Sequence, residues 1–124
     1  MTNPFRDQEK FMRACDQTVE DFNASQYAMY LGLIDEESKE LDVALANNDR
    51  IEQLDALIDI LVVTIGAIHS GGFDAEGAWK EVMSTNFAKI DRDTGKVRKR
   101  EDGKVLKPVG WTAPELAQFV KDTE

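Results

Sequence analysis

The sequence predicts an all-α protein: an antiparallel helical bundle of about four main helices, with a small C-terminal hairpin and a short last helix, its core completed by oligomerisation. Three observations predict it. Apolar residues recur at helical spacing through the first two thirds of the chain, and the breaks between these runs are short and carry helix caps. Two neighbouring helices also carry apolar faces that a pair of helices cannot close by itself. At 124 residues and 42% hydrophobic content, the chain fits a single domain, 1–124, with a helical body at about 4–89 and a basic hairpin and tail at about 90–124.

Each element has its own local reason. Asn3-Pro4 supplies a cap and a proline at the first helical position, and Phe11, Met12, Cys15, Val19 and Phe22 carry a first helix to about Phe22. A second helix, about 26–46, places Leu31, Ile34, Leu41 and Leu45 among its apolar positions, and Asn47-Asn48-Asp49 then makes a turn that caps the next. The third helix, about 50–70, stops at Gly71-Gly72. Asp74 caps a fourth, which carries Ala75, Ala78, Trp79, Val82 and Met83. Asp93-Thr94-Gly95 and Glu101-Asp102-Gly103 are turn signals around 96–100 and 104–107, which predicts a small hairpin. Thr112-Ala113-Pro114-Glu115 resembles a capping box that opens a short last helix to about Val120.

Charge excludes several classes of function. The net charge of −9, from 24 acids against 15 bases, invites neither nucleic acid nor an anionic membrane surface. Yet Lys89, Arg92, Lys96, Arg98, Lys99, Arg100, Lys104 and Lys107 crowd into one short stretch, so an acidic body bears a basic appendage. The single cysteine, Cys15, forms no internal disulfide and reads as core; the N-terminus lacks a secretory signal, and 51–68 is too interrupted by polar groups to span a membrane. A cytoplasmic protein is expected.

The residues that carry chemistry are carboxylates set where a helix should carry aliphatics. Glu36, Glu37 and Glu40 lie on the second helix, and Asp55 and Asp59 are the only charges between Leu54 and Ile68 on the third. If these helices pack antiparallel around a turn near Asn48, Glu40 and Asp55 stand at one height and Glu37 and Asp59 at another, at ~1.5 Å per residue. Such a cluster repels itself unless cations enter it, and an all-oxygen set suits Mg²⁺ or Mn²⁺ better than zinc. Taken alone, Glu36, Glu37 and Glu40 with Lys39 also read as a solvated face, and Asp55 and Asp59 as buried ion pairs. Glu52, one turn before Asp55, extends the acidic stripe but equally suits the start of a helix. His69 reads as a capping or surface residue, and one histidine is too few for a ferritin-like di-iron bundle.

Glu36-Glu37-Ser38-Lys39-Glu40 matches the EExxE signature of the MazG-like all-α nucleoside triphosphate pyrophosphohydrolases, which the chain resembles over roughly 27–111. The second half of that signature, usually ExxD, is met either by Glu52-Gln53-Leu54-Asp55 or by Asp55 with Asp59, and both registers stay open. Asn86-Phe87-Ala88-Lys89 resembles the family's NxxK element, and Leu106-Lys107-Pro108-Val109-Gly110-Trp111 resembles the tail of bacteriophage and bacterial members. The resemblance implies hydrolysis of a (d)NTP to its monophosphate and pyrophosphate, in control of the nucleotide pool, with Mg²⁺ (or Mn²⁺) held by Glu37, Glu40, Asp55, Asp59 and Glu52. It implies that Glu36 and Glu37 act in catalysis, with Glu36 orienting or deprotonating water, and that Asn86, Lys89, Lys99 and Arg100 meet substrate. It also implies a homodimer or homotetramer with sites near subunit interfaces. The base is not read; guanine nucleotides and dUTP are among the candidates, with Trp79, Trp111, Tyr27, Tyr30 and Phe87 available to stack. Two rivals remain: a phosphoribosyl-ATP pyrophosphohydrolase sharing the metal site, and a non-catalytic acidic helical module that binds or inhibits a basic partner.

Overall fold

The computed structural model describes residues 2–123 and is all-helical in its regular structure: α1 Pro4–Ala14, α2 Ala24–Ala46, α3 Arg50–Ser70 and α4 Ala75–Phe87, followed by a single 3-10 turn at Ala117–Phe119. Two compact units divide the chain. One runs through Ala75 and takes in the segment from Val120; the other is Glu76–Phe119. No helix among the described residues is long and apolar enough to cross a membrane.

The first unit is built on an α2–α3 hairpin, with α1 also packed on α3. Its turn is tight because one short segment does two jobs. Asn48 adopts φ 52°, so the Asp49 amide reaches back to Ala44 O at 3.0 Å and Asn48 N to Leu45 O at 3.1 Å. The Asp49 side chain then accepts the Glu52 amide at 3.1 Å and starts α3. Gly66 lets the two helices approach: a Cβ there would run into the Tyr30 ring. The buried cluster is Met12, Val19, Tyr30 and Ala67, with Tyr27, Leu33, Ile34 and Val63 packed against it.

The first helix ends at Ala14, not near Phe22. The same device stops it: Asp16 takes φ 59°, and Gln17 N and Asp16 N bond to Met12 O and Arg13 O at 2.9 and 3.1 Å. An aspartate in the place usually held by glycine hides this stop from a sequence reading. The chain then crosses the end of α3 as a pinned loop rather than a helix. Gln26 holds it, accepting Thr18 N at 2.9 Å and donating to Thr18 O at 2.7 Å and Ser70 Oγ at 2.8 Å. Two further expectations change here. Cys15 is exposed rather than core. His69 is buried, its Nε2 2.8 Å from Phe5 O, so it fastens α1 to α3 instead of facing solvent.

In the second unit the expected hairpin is present as a minimal ladder: Lys99 bridges Val105, Arg100 N bonds to Lys104 O, and Leu106 N bonds to Arg98 O, both at 2.8 Å. A second bridge joins Ile90 and Val97 across the turn that Asp91 organises by accepting the amides of Asp93 and Thr94. Pairing at single bridges leaves no strand among the described residues. The last helix expected from Thr112 shrinks to one 3-10 turn, because the Glu115 amide, which a capping box would give to Thr112, is taken by Glu81 Oε2 at 2.7 Å.

Candidate active site

The hairpin sets Glu36, Glu37 and Glu40 on α2 and Glu52, Asp55 and Asp59 on α3. Glu37 and Asp59 are half-buried; the other four are exposed in the single chain. Glu37 is the electrostatic centre. Loss of water around its carboxyl raises its pKa to about 7, helped by a hydrogen bond with Glu40 and by the negative charges of Glu40, Asp59 and Asp55. Asp59 is raised as well, first by burial and then by the charges of Asp55 and Glu40. The structure therefore brings Glu37, Glu40, Asp55 and Asp59 into one electrostatic group. Glu36 and Glu52 contribute to neither shift, and the Glu52 amide is engaged by the Asp49 cap.

None of these four acids pairs with a lysine or arginine among the described residues. Lys39 turns to Asp35, at 2.9 Å on an exposed face; Glu36 and Glu40 are solvated, as a surface face would be, whereas Glu37 is half-buried. Buried ion pairs for Asp55 and Asp59 are likewise not formed. One oxygen of the Glu37 carboxylate, Oε2, is sealed from solvent and has no hydrogen-bond partner. A buried carboxylate oxygen left unpartnered is costly, and a hard cation satisfies it. The oxygen-only donor set fits a divalent cation of the Mg²⁺ kind. As they stand, no three acids among the described residues are close enough to cage a metal ion; like-charged carboxylates keep apart unless a proton or cation is shared.

The substrate-binding candidates belong to the other unit. Asn86 and Lys89 are joined, Lys89 Nζ donating to Asn86 Oδ1 at 3.1 Å. Lys89 Nζ also sits 5.1 Å from the centre of the Trp111 ring, and Lys107 Nζ lies 4.8 Å from the same ring. Trp111 is fixed by its indole N–H, donated to Thr85 O at 2.7 Å. Lys99 is exposed, while Arg100 is tied down by Asp102, whose carboxylate it holds below the ordinary range. Of the aromatic candidates, Tyr30 is buried, with its hydroxyl on Gln17, and Tyr27 packs between Phe22 and Phe73. Phe87 is 60% exposed beside an open cleft of about 550 Å³ that Arg92 also lines. The union of Lys107 with Trp111 was missed in sequence, where the only signal was a lysine four residues before a tryptophan.

Residues 6–86 match the model of the phosphoribosyl-ATP pyrophosphohydrolase family. The chain belongs to the phosphoribosyl-ATP pyrophosphohydrolase family. That family is part of the MazG-like all-α pyrophosphohydrolase superfamily, and its members are hydrolases that release pyrophosphate. The phosphoribosyl-ATP pyrophosphohydrolase match spans all six acids and Asn86 but ends before Lys89, so the basic stretch lies beyond it. No curated protein is detectably similar to the chain.

Proposed function

We propose that this chain is a metal-dependent nucleoside triphosphate pyrophosphohydrolase of the bacterial or bacteriophage MazG-like type, cleaving a (d)NTP between the α and β phosphates in the cytoplasm. The observation that carries the reading is the unneutralised group Glu37, Glu40, Asp55 and Asp59, with Glu37 Oε2 buried and unpartnered. Glu37, Glu40, Asp55 and Asp59 would hold Mg²⁺ or Mn²⁺, with Glu52 as a further ligand. When bound, the cation neutralises phosphate charge, polarises the α-phosphorus and makes a nearby water easier to deprotonate. Glu36, exposed one residue from the half-buried Glu37, orients the attacking water and accepts its proton. The bond from the α-phosphorus to the α–β bridging oxygen breaks, leaving monophosphate and pyrophosphate. Asn86 and Lys89 bind phosphate oxygens, Lys89 as a point charge that Asn86 holds in place, with Lys99 adding positive charge, while the Arg100 charge is spent on Asp102.

The family match favours a second reading, phosphoribosyl-ATP as the substrate, with the same acids and the same scissile bond. Exposed apolar side chains on α3 support a homodimer or homotetramer: Leu54 is 62% exposed, Leu57 52%, Ile58 50% and Leu61 48%. The test is to incubate the protein with each NTP, each dNTP and phosphoribosyl-ATP plus Mg²⁺ or Mn²⁺, and to separate pyrophosphate from phosphate. Pyrophosphate from one or more NTPs is the expected result. Turnover of phosphoribosyl-ATP alone selects the second reading; orthophosphate alone, or no turnover of any of them, sinks both and favours the acidic binding module.

A further inference from the structure

Lys89 and Lys107 are separated in sequence by the whole hairpin, yet both ammonium groups lie about 5 Å from the centre of one indole ring, so no more than about 10 Å separates them. Neither is paired with a carboxylate among the described residues, in a chain that carries 24 acids. Two like charges repel, so two ammonium groups held this close need something that attracts both. Here an aromatic ring holds them. A ring attracts an ammonium through its quadrupole without neutralising it and leaves the outward N–H donors free. The ring itself is immobilised: Trp111 is half-buried, and its N–H is spent on Thr85 O at 2.7 Å. Asn86 Oδ1 accepts one hydrogen bond from Lys89 Nζ at 3.1 Å and so orients the remaining N–H donors.

We propose that Trp111 is a positioning residue that gathers Lys89 and Lys107 into one polyphosphate-binding site, in which Lys107 is a second phosphate-contacting cation. The inference rests on the reading of Asn86 and Lys89 as phosphate ligands and extends it past the residues matched by the family model. Two un-neutralised ammonium groups within about 10 Å present donors to successive phosphates of one chain, which a single inorganic phosphate cannot bridge. Arg100, neutralised by Asp102, is not part of this site.

The test titrates inorganic tripolyphosphate into the full chain by calorimetry in EDTA, where no divalent cation links the ligand to the acids, at several salt concentrations. The wild-type protein binds it, and more tightly than it binds inorganic phosphate. Lys107→Ala weakens binding about tenfold, as the loss of one charge-assisted contact does, and flattens the salt dependence. Trp111→Leu weakens it comparably although both lysines remain, whereas Trp111→Phe, which keeps a ring face but loses the Thr85 bond, retains most of the affinity. A purely structural Trp111 would instead show both substitutions lowering the melting temperature with affinity intact. Lys107 is exposed, so its variants fold even if Trp111→Leu does not. Wild-type protein that fails to bind tripolyphosphate, or affinity indifferent to Lys107→Ala, overturns the proposal. Pyrophosphate release with Mg²⁺, measured on the same variants, keeps the two readings apart. Turnover with no Lys107-dependent binding refutes this inference alone; Lys107-dependent binding with no turnover of any nucleotide refutes the enzymatic reading and supports the anion site.

Discussion

Glu37 is held as an acid that keeps its proton to about pH 7 because burial and three neighbouring carboxylates oppose its charge. Its folded-state pKa lies above the ordinary 4.5, so between those values the folded chain binds a proton that the unfolded chain has lost. Stability from this group is therefore fully present below about pH 4.5 and is lost as pH rises through about 7. Asp59, raised in the same direction, adds to the trend. Thermal melting in divalent-free buffer should show a lower Tm at about pH 8 than at about pH 5, and Glu37→Gln should flatten that slope. In the assay, Glu40→Gln and Asp59→Asn should each lower turnover by more than about 100-fold, since even residues that only support metal ligands cost about 10- to 100-fold. Both variants should melt at or above the wild-type temperature, because each removes a repelling charge. Glu52→Gln is the comparison that decides the register. Full activity in Asp59→Asn with loss in Glu52→Gln would place the second acid pair at Glu52 and Asp55.

At the scale of elements, the α2–α3 hairpin depends on two features with no chemistry of their own. Gly66 faces the Tyr30 ring where the helices touch, so Gly66→Ala should cost about 1–3 kcal/mol by overpacking, read from chemical denaturation. Gln26 joins the Thr18 backbone and Ser70 across the base of the hairpin. Gln26→Ala should cost about 1–3 kcal/mol by leaving buried polar groups unpaired, read from chemical denaturation. The boundaries of α3 were legible in sequence because their signals are local: the Asp49 cap and the Gly71-Gly72 stop each act within one helical turn, and α4 starts at Ala75, where it was expected. The end of α1 was not legible. Apolar spacing continues through Val19 and Phe22, but those side chains serve the loop that packs over α3, and Asp16 in a left-handed conformation does the work glycine usually signals.

At the scale of the molecule, α3 is apolar on more faces than α1 and α2 can cover. Leu54, Leu57, Ile58 and Leu61 remain about half-exposed, the kind of surface that the proposed homodimer or homotetramer would cover. Sedimentation should find a dimer or larger, and Leu54→Glu combined with Leu61→Glu should give a monomer. The sequence by itself determined the helical class and the short turn between the two acid-bearing helices, because periodicity and capping operate over three or four residues. Only the tertiary structure decided which charges Glu37 feels, that Lys39 turns away from them, and that Lys89 and Lys107 meet at Trp111. Those outcomes depend on distances between residues far apart in the chain, and electrostatic fields follow distance in space, not along the sequence.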